Sequence, residues 1–357
     1  MRKIILFLFA LIMCFTTVGC TSGNGCSCSA EDEVSYFVNW AGGGTPSFSY
    51  EEVATYKVTY TDSFNENSYN YKKVNDIGCN MSLSDSTYVV KTKVITSDEL
   101  PDGVSVESGF GGKFYKITTA LSVNPTYTLG GQSYSFEDMV YTEVYFYDET
   151  FNFAPIYSVK YYDTTNISLN TAGTAEKIIR YVYQTETLYN GSNITFKVSQ
   201  PSQLPASEGV VSVPTIKTHD GYKIKGDFKK FIDNEELLFA CRNVSLNNGE
   251  TLKVVSPSYL NVEEIDVKNL TNSTTYVTMS VNNSERTEVA VPTSRLSVLR
   301  SAENNTGSPI IVDIQRSEVT VGGTSYNNAF MVKMITRLPS HIGALVYTLD
   351  SVNITKV

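Results

Sequence analysis

Two histidines, His219 and His341, are all that a Ser-His-Asp or Cys-His site could draw on in this chain. His219 lies in Thr218-His219-Asp220-Gly221, which reads as a hairpin turn where His and Asp are ordinary residues. His341 follows Leu338-Pro339-Ser340, at the entrance to a strand. No G-x-S-x-G elbow, H-E-x-x-H pair or Walker loop occurs. Gly109-Phe110-Gly111-Gly112-Lys113 is glycine-rich, but no helix-forming run follows to aim a positive N-terminus at phosphate, so it reads as a loop. Glycoside hydrolysis asks for less, only two carboxylates at a suitable separation. The doublets Glu51-Glu52, Glu137-Asp138, Glu235-Glu236 and Glu263-Glu264 are the obvious acids. Neighbouring acids on a strand point to opposite faces, so no doublet can itself be the pair. The single tryptophan, Trp40, argues against an extended sugar cleft. Catalytic residues, metal ligands and cofactors are therefore not expected. A hydrolase using acids from two different strands remains the enzymatic alternative.

What is left for chemistry is binding. Tyr141, Tyr145 and Tyr147 share one face of an alternating run, and Tyr157, Tyr161, Tyr181 and Tyr183 follow on later strands. Tyrosine rings stack on sugars and apolar ligands while keeping a hydroxyl for hydrogen bonding. These tyrosines either line a groove or fill sheet positions against other sheets. A second candidate lies in Gly226–Arg242, where Phe228, Phe231 and Ile232, then Leu237, Leu238 and Cys241, keep helical spacing. Asp233 followed by Glu236 has the form of a capping box, so one or two short helices docked on a sheet are expected here. Phe228, Phe231 and Leu238 would then hold an apolar or amphiphilic ligand against that sheet.

The elements that must position these residues are strands. The chain carries 24 Tyr and 17 Phe, types that suit a half-buried pleated surface. Alternation with period two sets Tyr56, Val58 and Tyr60 on one face, and Val140, Val144 and Phe146 on another. It recurs in Ile310, Val312 and Ile314, in Phe330, Val332 and Met334, and in Leu345, Tyr347 and Leu349. Turn signals at Gly130-Gly131, Asn247-Asn248-Gly249 and Gly322-Gly323 separate the runs. The expected fold is mainly β, in antiparallel, curved sheets or open half-barrels, with short helices near 227–242. Pro201 to Gly209 interrupts the strands, which suggests an N-terminal β domain over 34–198 and a C-terminal one over 199–357. One sheet running through both is the alternative.

The N-terminus reads as an address. Arg2 and Lys3 precede the apolar run Ile4–Phe15, a length that suits a signal peptide and falls short of the roughly 20 residues a spanning helix needs. Thr17-Val18-Gly19-Cys20 resembles the lipobox of bacterial lipoproteins, with Thr17 where that family usually carries Leu. The resemblance implies that residues 1–19 are removed, that Cys20 is lipidated, and that the protein is held on the extracytoplasmic side of a membrane. An ordinary secretory peptide cut near Ala30 is the other reading. Residues 20–33 read as a flexible tether.

Without Arg2 and Lys3 the formal net charge moves from −9 to −11, and no basic run with interleaved aromatics occurs, so nucleic acid is not an expected partner. Asn-x-Ser/Thr triplets such as Asn166-Ile167-Ser168 then reflect composition alone. Cys26-Ser27-Cys28 lies in the tether and is redox-active, metal-binding or merely exposed, though without a nearby His or a second Cys pair zinc is not expected. Cys79 and Cys241 are either free and buried or bridged.

The C-terminal part carries a further resemblance. Asp233-Asn234-Glu235-Glu236-Leu237-Leu238-Phe239-Ala240-Cys241-Arg242, then Leu246 and Asn248-Gly249, and at the end Leu338-Pro339-Ser340-His341-Ile342-Gly343-Ala344-Leu345, resemble bacterial extracytoplasmic all-β domains of unknown function. That implies a curved antiparallel sheet clasping a helix, and no chemistry. The expected role is a non-enzymatic lipoprotein binding an apolar or amphiphilic ligand or an envelope partner. A carbohydrate-binding or adhesion module using the tyrosine faces is the alternative.

Overall fold

The computed structural model describes residues 50–62, 74–151, 153–242, 249–301, 309–326, 329–338 and 342–356. The expectations for the signal peptide, Cys20, the tether with Cys26 and Cys28, Trp40, Asn247-Asn248 and His341 lie outside them.

Alternation does become strands, nineteen of them among the described residues. The first eight are β1 (Tyr50–Thr61), β2 (Cys79–Ile95), β3 (Phe114–Leu129), β4 (Gln132–Ser135), β5 (Asp138–Tyr147), β6 (Pro155–Leu169), β7 (Ala175–Asn190) and β8 (Asn193–Ser199). Then come β9 (Val211–Ser212), β10 (His219–Lys225), β11 (Ile232–Asp233), the α-helix α1 (Leu237–Cys241), β12 (Glu250–Ser256) and β13 (Asn261–Val281). The chain ends with β14 (Thr287–Arg300), β15 (Ile310–Gln315), β16 (Val319–Val321), β17 (Thr324–Tyr326), β18 (Met331–Arg337) and β19 (Ala344–Lys356). The protein is mainly β and mostly antiparallel.

Pairing runs β10-β8-β7-β6-β5-β3-β2-β1-β19-β18-β15-β14-β13-β12-β11. The first and last described strands therefore meet at the centre, where β1 lies antiparallel to β19 from Tyr50↔Lys356 to Thr61↔Ala344. β13 also meets β19 in parallel at Ser280↔Ser351 and Val281↔Val352, which closes β13, β14, β15, β18 and β19 into a ring. Residues after Ser199 are irregular, as expected of Pro201 to Gly209. Beyond them β9 and β10 pair back onto β7 and β8, so the sheet continues across that stretch.

The first half of the sheet wraps the segment 227–242. Asp233 in the middle of that segment touches Tyr189 on β7, and Arg242 at its end touches Glu52 on β1. Those strands are several places apart at about 4.8 Å per place, so the sheet must curl for one short segment to reach both. Inward residues Val140, Val144 and Phe146 are buried, as are Tyr56 and Val58. Gly130 and Gly131, at φ of 61° and 82°, make the two-residue turn between β3 and β4 that no residue with a Cβ would adopt easily. Gly221 does something else. Thr218-His219-Asp220-Gly221 is not a hairpin turn: His219 starts β10, and Gly221, at φ 77°, sits at a bulge between Asp220 and Tyr222. A bulge consumes the same left-handed glycine that a tight turn does, so the two read alike in sequence. Cys79 and Cys241 are free and buried.

Candidate functional site

The segment predicted as helical consists of a 3₁₀ turn at Phe228–Lys230, a second at Asn234–Glu236, and α1. The capping box forms: Glu235 N–H donates to Asp233 Oδ1 at 2.8 Å, and Asp233 N–H donates to Glu236 Oε2 at 2.8 Å. Short as it is, the segment is core. Phe228, Phe231, Ile232, Leu237, Phe239 and Cys241 are all buried. Phe239 packs on Phe146 and Phe153 at 5.4 and 6.1 Å between ring centres, and Phe228 faces Tyr147 at 6.0 Å. Leu238 alone of the three expected contacts is partly exposed. It borders a cavity of about 40 Å³ shared with Tyr56, Tyr88, Arg242 and Met331, space on the scale of a water or two. The inner face of the sheet is thus occupied by the protein's own chain.

This segment also carries charge inward, which sequence reasoning missed. Lys160 Nζ reaches Glu235 Oε1 at 2.8 Å with both side chains buried. Burial alone would lower the Lys160 pKa, but Glu235 and Tyr162 outweigh it and hold it above its ordinary value. Ser158 and Tyr189 hydroxyls each donate to Asp233 Oδ2 at 2.6 Å. Burial, then the neighbouring Glu235, push Asp233 up to about 6, and burial followed by Asp233 raises Glu236 well above the usual carboxylate range. Arg242 grips Glu52 of β1 with two bonds, at 2.8 and 3.1 Å. The doublet Glu235-Glu236 was expected to split between two faces, as strand residues do. Instead it lies on a 3₁₀ turn, where consecutive residues are 120° apart, and both carboxylates are buried. The other doublets split as expected. Glu52 is buried while Glu51 meets the half-exposed Lys91 at 2.9 Å; Asp138 and Glu263 are buried while Glu137 and Glu264 are exposed. The acids of the segment, shut under the sheet, form a clamp between strands and offer no carboxylate pair to a dissolved substrate.

The outward face is different. Tyr141 lies directly across from Tyr161 of β6, and Tyr145 across from Tyr157. The Tyr145 and Tyr157 rings are 6.1 Å apart. Glu143 sits between them, accepting from Tyr141 at 2.5 Å and from Tyr145 at 2.6 Å, with Lys116 Nζ at 2.8 Å. Burial would raise the Glu143 carboxyl, but Lys116 and the two hydroxyls outweigh it and keep it below its ordinary value. Burial, then Glu143, push the Tyr141 phenol up to about 12. Beyond Tyr157 the same face continues to Glu186, which meets Gln184 at 2.9 Å and Lys197 at 3.3 Å. Tyr141 is 37% exposed, and Tyr157 and Tyr161 are partly so. Tyr145 is buried beneath its neighbours.

Three expected members of this face are covered or turned inward. Tyr147 points the same way but is covered by the loop that includes Gly109–Lys113, with Phe110 at 4.7 Å and Glu107 N–H donating to its hydroxyl. Tyr181 and Tyr183 face inward. The register sets Gln184 opposite Tyr161 and Tyr183 opposite Tyr162, and the latter two rings stack at 4.3 Å. A shift of one residue in register moves a side chain to the other face, and no local pattern specifies it. His219, opposite Val198 in the β10–β8 pairing, makes an edge contact with the Tyr222 ring at 6.0 Å.

No family model matches the chain, and no curated protein matches it. Among solved structures, it is similar to a β-barrel-like protein of a domain of unknown function from Brucella abortus. The identity is 9%, over 86% of this chain and 99% of that one, with a TM-score of 0.42. A likeness of that size says nothing about function.

Proposed function

We propose that this chain is a non-enzymatic, extracytoplasmic binding protein, anchored to a membrane by lipid on Cys20, that takes glycans on its outer tyrosine face. One observation carries the choice of surface. Tyr141 with Tyr161, and Tyr145 with Tyr157, form two cross-strand pairs around Glu143 and Lys116, while the inner face is filled by 227–242. Aromatic rings beside fixed carboxylates and an ammonium meet both needs of a pyranose, an apolar C–H face and a rim of hydroxyls. An amphiphile held against Phe228, Phe231 and Leu238 would require the clamp of Lys160, Glu235, Glu52 and Arg242 to open first.

The test is a glycan array probed with the secreted, non-acylated Cys20→Ala chain. Binding that falls about tenfold or more in Tyr141→Ala/Tyr161→Ala, a loss of about 1.4 kcal/mol, is the expected result. An array blank for the parent chain, or binding indifferent to both substitutions, would sink the glycan reading. Lipid co-purifying in native mass spectrometry would return the choice to the inner face. The anchor has its own check: Cys20→Ala is expected to abolish labelling by radioactive fatty acid and to leave the protein uncut or released. Labelling that persists would mean the lipobox reading is wrong.

A further inference from the structure

Sheet edges decide what else a β protein meets, because an unpaired strand presents free N–H and C=O groups to any other chain. β10, at one end of the pairing order, is guarded: it carries Asp220, Lys223 and Lys225 and bends at the Gly221 bulge. β13 is not guarded in this way. It pairs with β14 from Ile265 to Met279, but on its other side only with β12, from Asn261 to Val267, and with β19 at Ser280 and Val281. The Thr278 carbonyl accepts from Arg286 at 3.0 Å, and Arg286 is itself paired with Asp350 of β19. Among the described residues, Thr271–Val277 is therefore paired on one side only. At about 3.3 Å per residue that is roughly 23 Å of bare edge.

Its composition runs against the usual protection. From Asn269 to Met279 the sequence is NLTNSTTYVTM, with no charge and no proline, in a chain of net charge −9. Leu270 is 53% exposed and Tyr276 67% exposed. Residues 270–274 are exposed on both faces of the strand. A bulge between Asn269 and Thr271 makes Leu270 the extra residue at one end, and from Thr271 onward the strand is regular.

We infer that this edge of β13 joins two copies of the chain as an antiparallel seam related by a two-fold axis at Ser273. The self-match argues for a second copy over another partner. Antiparallel pairing about Ser273 sets Leu270 opposite Tyr276, Thr271 opposite Thr275 and Asn272 opposite Thr274. Apolar side chains then meet at both ends with β-branched threonines between them, and no like charges are opposed. Elsewhere two acidic copies repel. Because each copy has one such edge among the described residues and pairing consumes it, the assembly closes at two. The inference does not rest on the ligand proposed above. Anchoring on one membrane would raise the local concentration and favour it.

Sedimentation velocity of the released, non-acylated Cys20→Ala chain under reducing conditions, from about 1 to 200 µM, reads the assembly directly. The expected result is a concentration-dependent shift from one copy to two and no further. Leu270→Lys and Tyr276→Lys, both at exposed positions, should weaken pairing about tenfold or more each while leaving circular dichroism and Tm unchanged. Thr274→Lys should do the same. A parent chain that stays monomeric at the top concentration overturns the inference and leaves the edge to a strand of some other protein. So does growth beyond two, or a dimer indifferent to all three lysines. Loss of glycan binding in the tyrosine variants would move none of these readings.

Discussion

Lys160→Met is expected to cost the fold about 3–5 kcal/mol, because it leaves Glu235 charged and buried without its partner. Asn234 Nδ2 at 2.9 Å and the Thr142 hydroxyl at 3.5 Å still reach that carboxylate, but they supply dipoles where a charge stood. Asp233 close by makes matters worse, since two uncompensated carboxylates then share one water-poor site. The double variant Lys160→Met/Glu235→Gln should recover more than half of the loss. Its amide carbonyl can still accept from Asn234, and no charge remains to be solvated. Urea unfolding at constant m-value checks both variants. A single variant within about 1 kcal/mol of the parent would mean the pair is dispensable. The segment 227–242 could then leave the sheet cheaply, which is what an inner-face ligand requires.

The second large effect is in pH. Asp138 is held by the backbone N–H and hydroxyl of Thr165 at 2.8 to 3.0 Å, yet burial dominates and pushes it up to about 7. Asp233 is pushed up to about 6 and Glu236 is raised as well, mainly by burial. The same groups titrate near 4 in an unfolded chain. Between about pH 4 and pH 7 the folded state therefore holds protons that the unfolded state has released, so stability falls as pH rises. For Asp138 and Asp233 the stabilising contribution is complete below about pH 4 and is lost as pH climbs through 6 and 7. Those two shifts correspond to about 3–4 kcal/mol each, within a factor of two; Glu236 acts in the same direction. Glu143 and Glu99, lowered by their hydrogen-bonded lysines and hydroxyls, act in the opposite sense and lose their contribution only below about pH 4. Tm should rise by on the order of 5–10 °C from pH 8 to pH 5. Asp138→Asn, which removes one of the charges, should raise Tm at pH 8 and flatten the profile. A Tm that falls steadily from pH 8 to pH 5 would contradict the burial of these acids.

These predictions concern residues that differ in how readily they announce themselves. The capping box at Asp233 and Glu236 is a local device, four residues long, and the sequence pattern finds it. The Tyr141, Glu143 and Tyr145 face is likewise local, because period two puts those side chains on one side of β5 wherever the strand goes. Their partners are another matter. Whether Tyr161 or Tyr162 lies beside Tyr141 depends on a register fixed by bulges and turns along whole strands. Lys160 and Glu235 are 75 residues apart, and Arg242 and Glu52 are 190 apart. Nothing near Glu235 marks it for burial: acids are almost never fully buried unless paired, and the pair is made only when the sheet curls.

By itself the sequence determined the strand-rich class, the turns at Gly130-Gly131 and Gly322-Gly323, the short helical insert and which residues of each strand share a face. All of these follow from hydrophobic spacing over a few residues, where the backbone geometry of strand and helix is the only translation needed. Tertiary structure alone decided that β1 and β19 meet at the centre, that the insert fills the inner face, that Cys79 and Cys241 are free, and that β13 keeps an edge open among the described residues. Each of those is a statement about which distant segments become neighbours. Such pairings are chosen by the summed burial and hydrogen bonding of the whole sheet, a quantity that no short stretch of sequence carries.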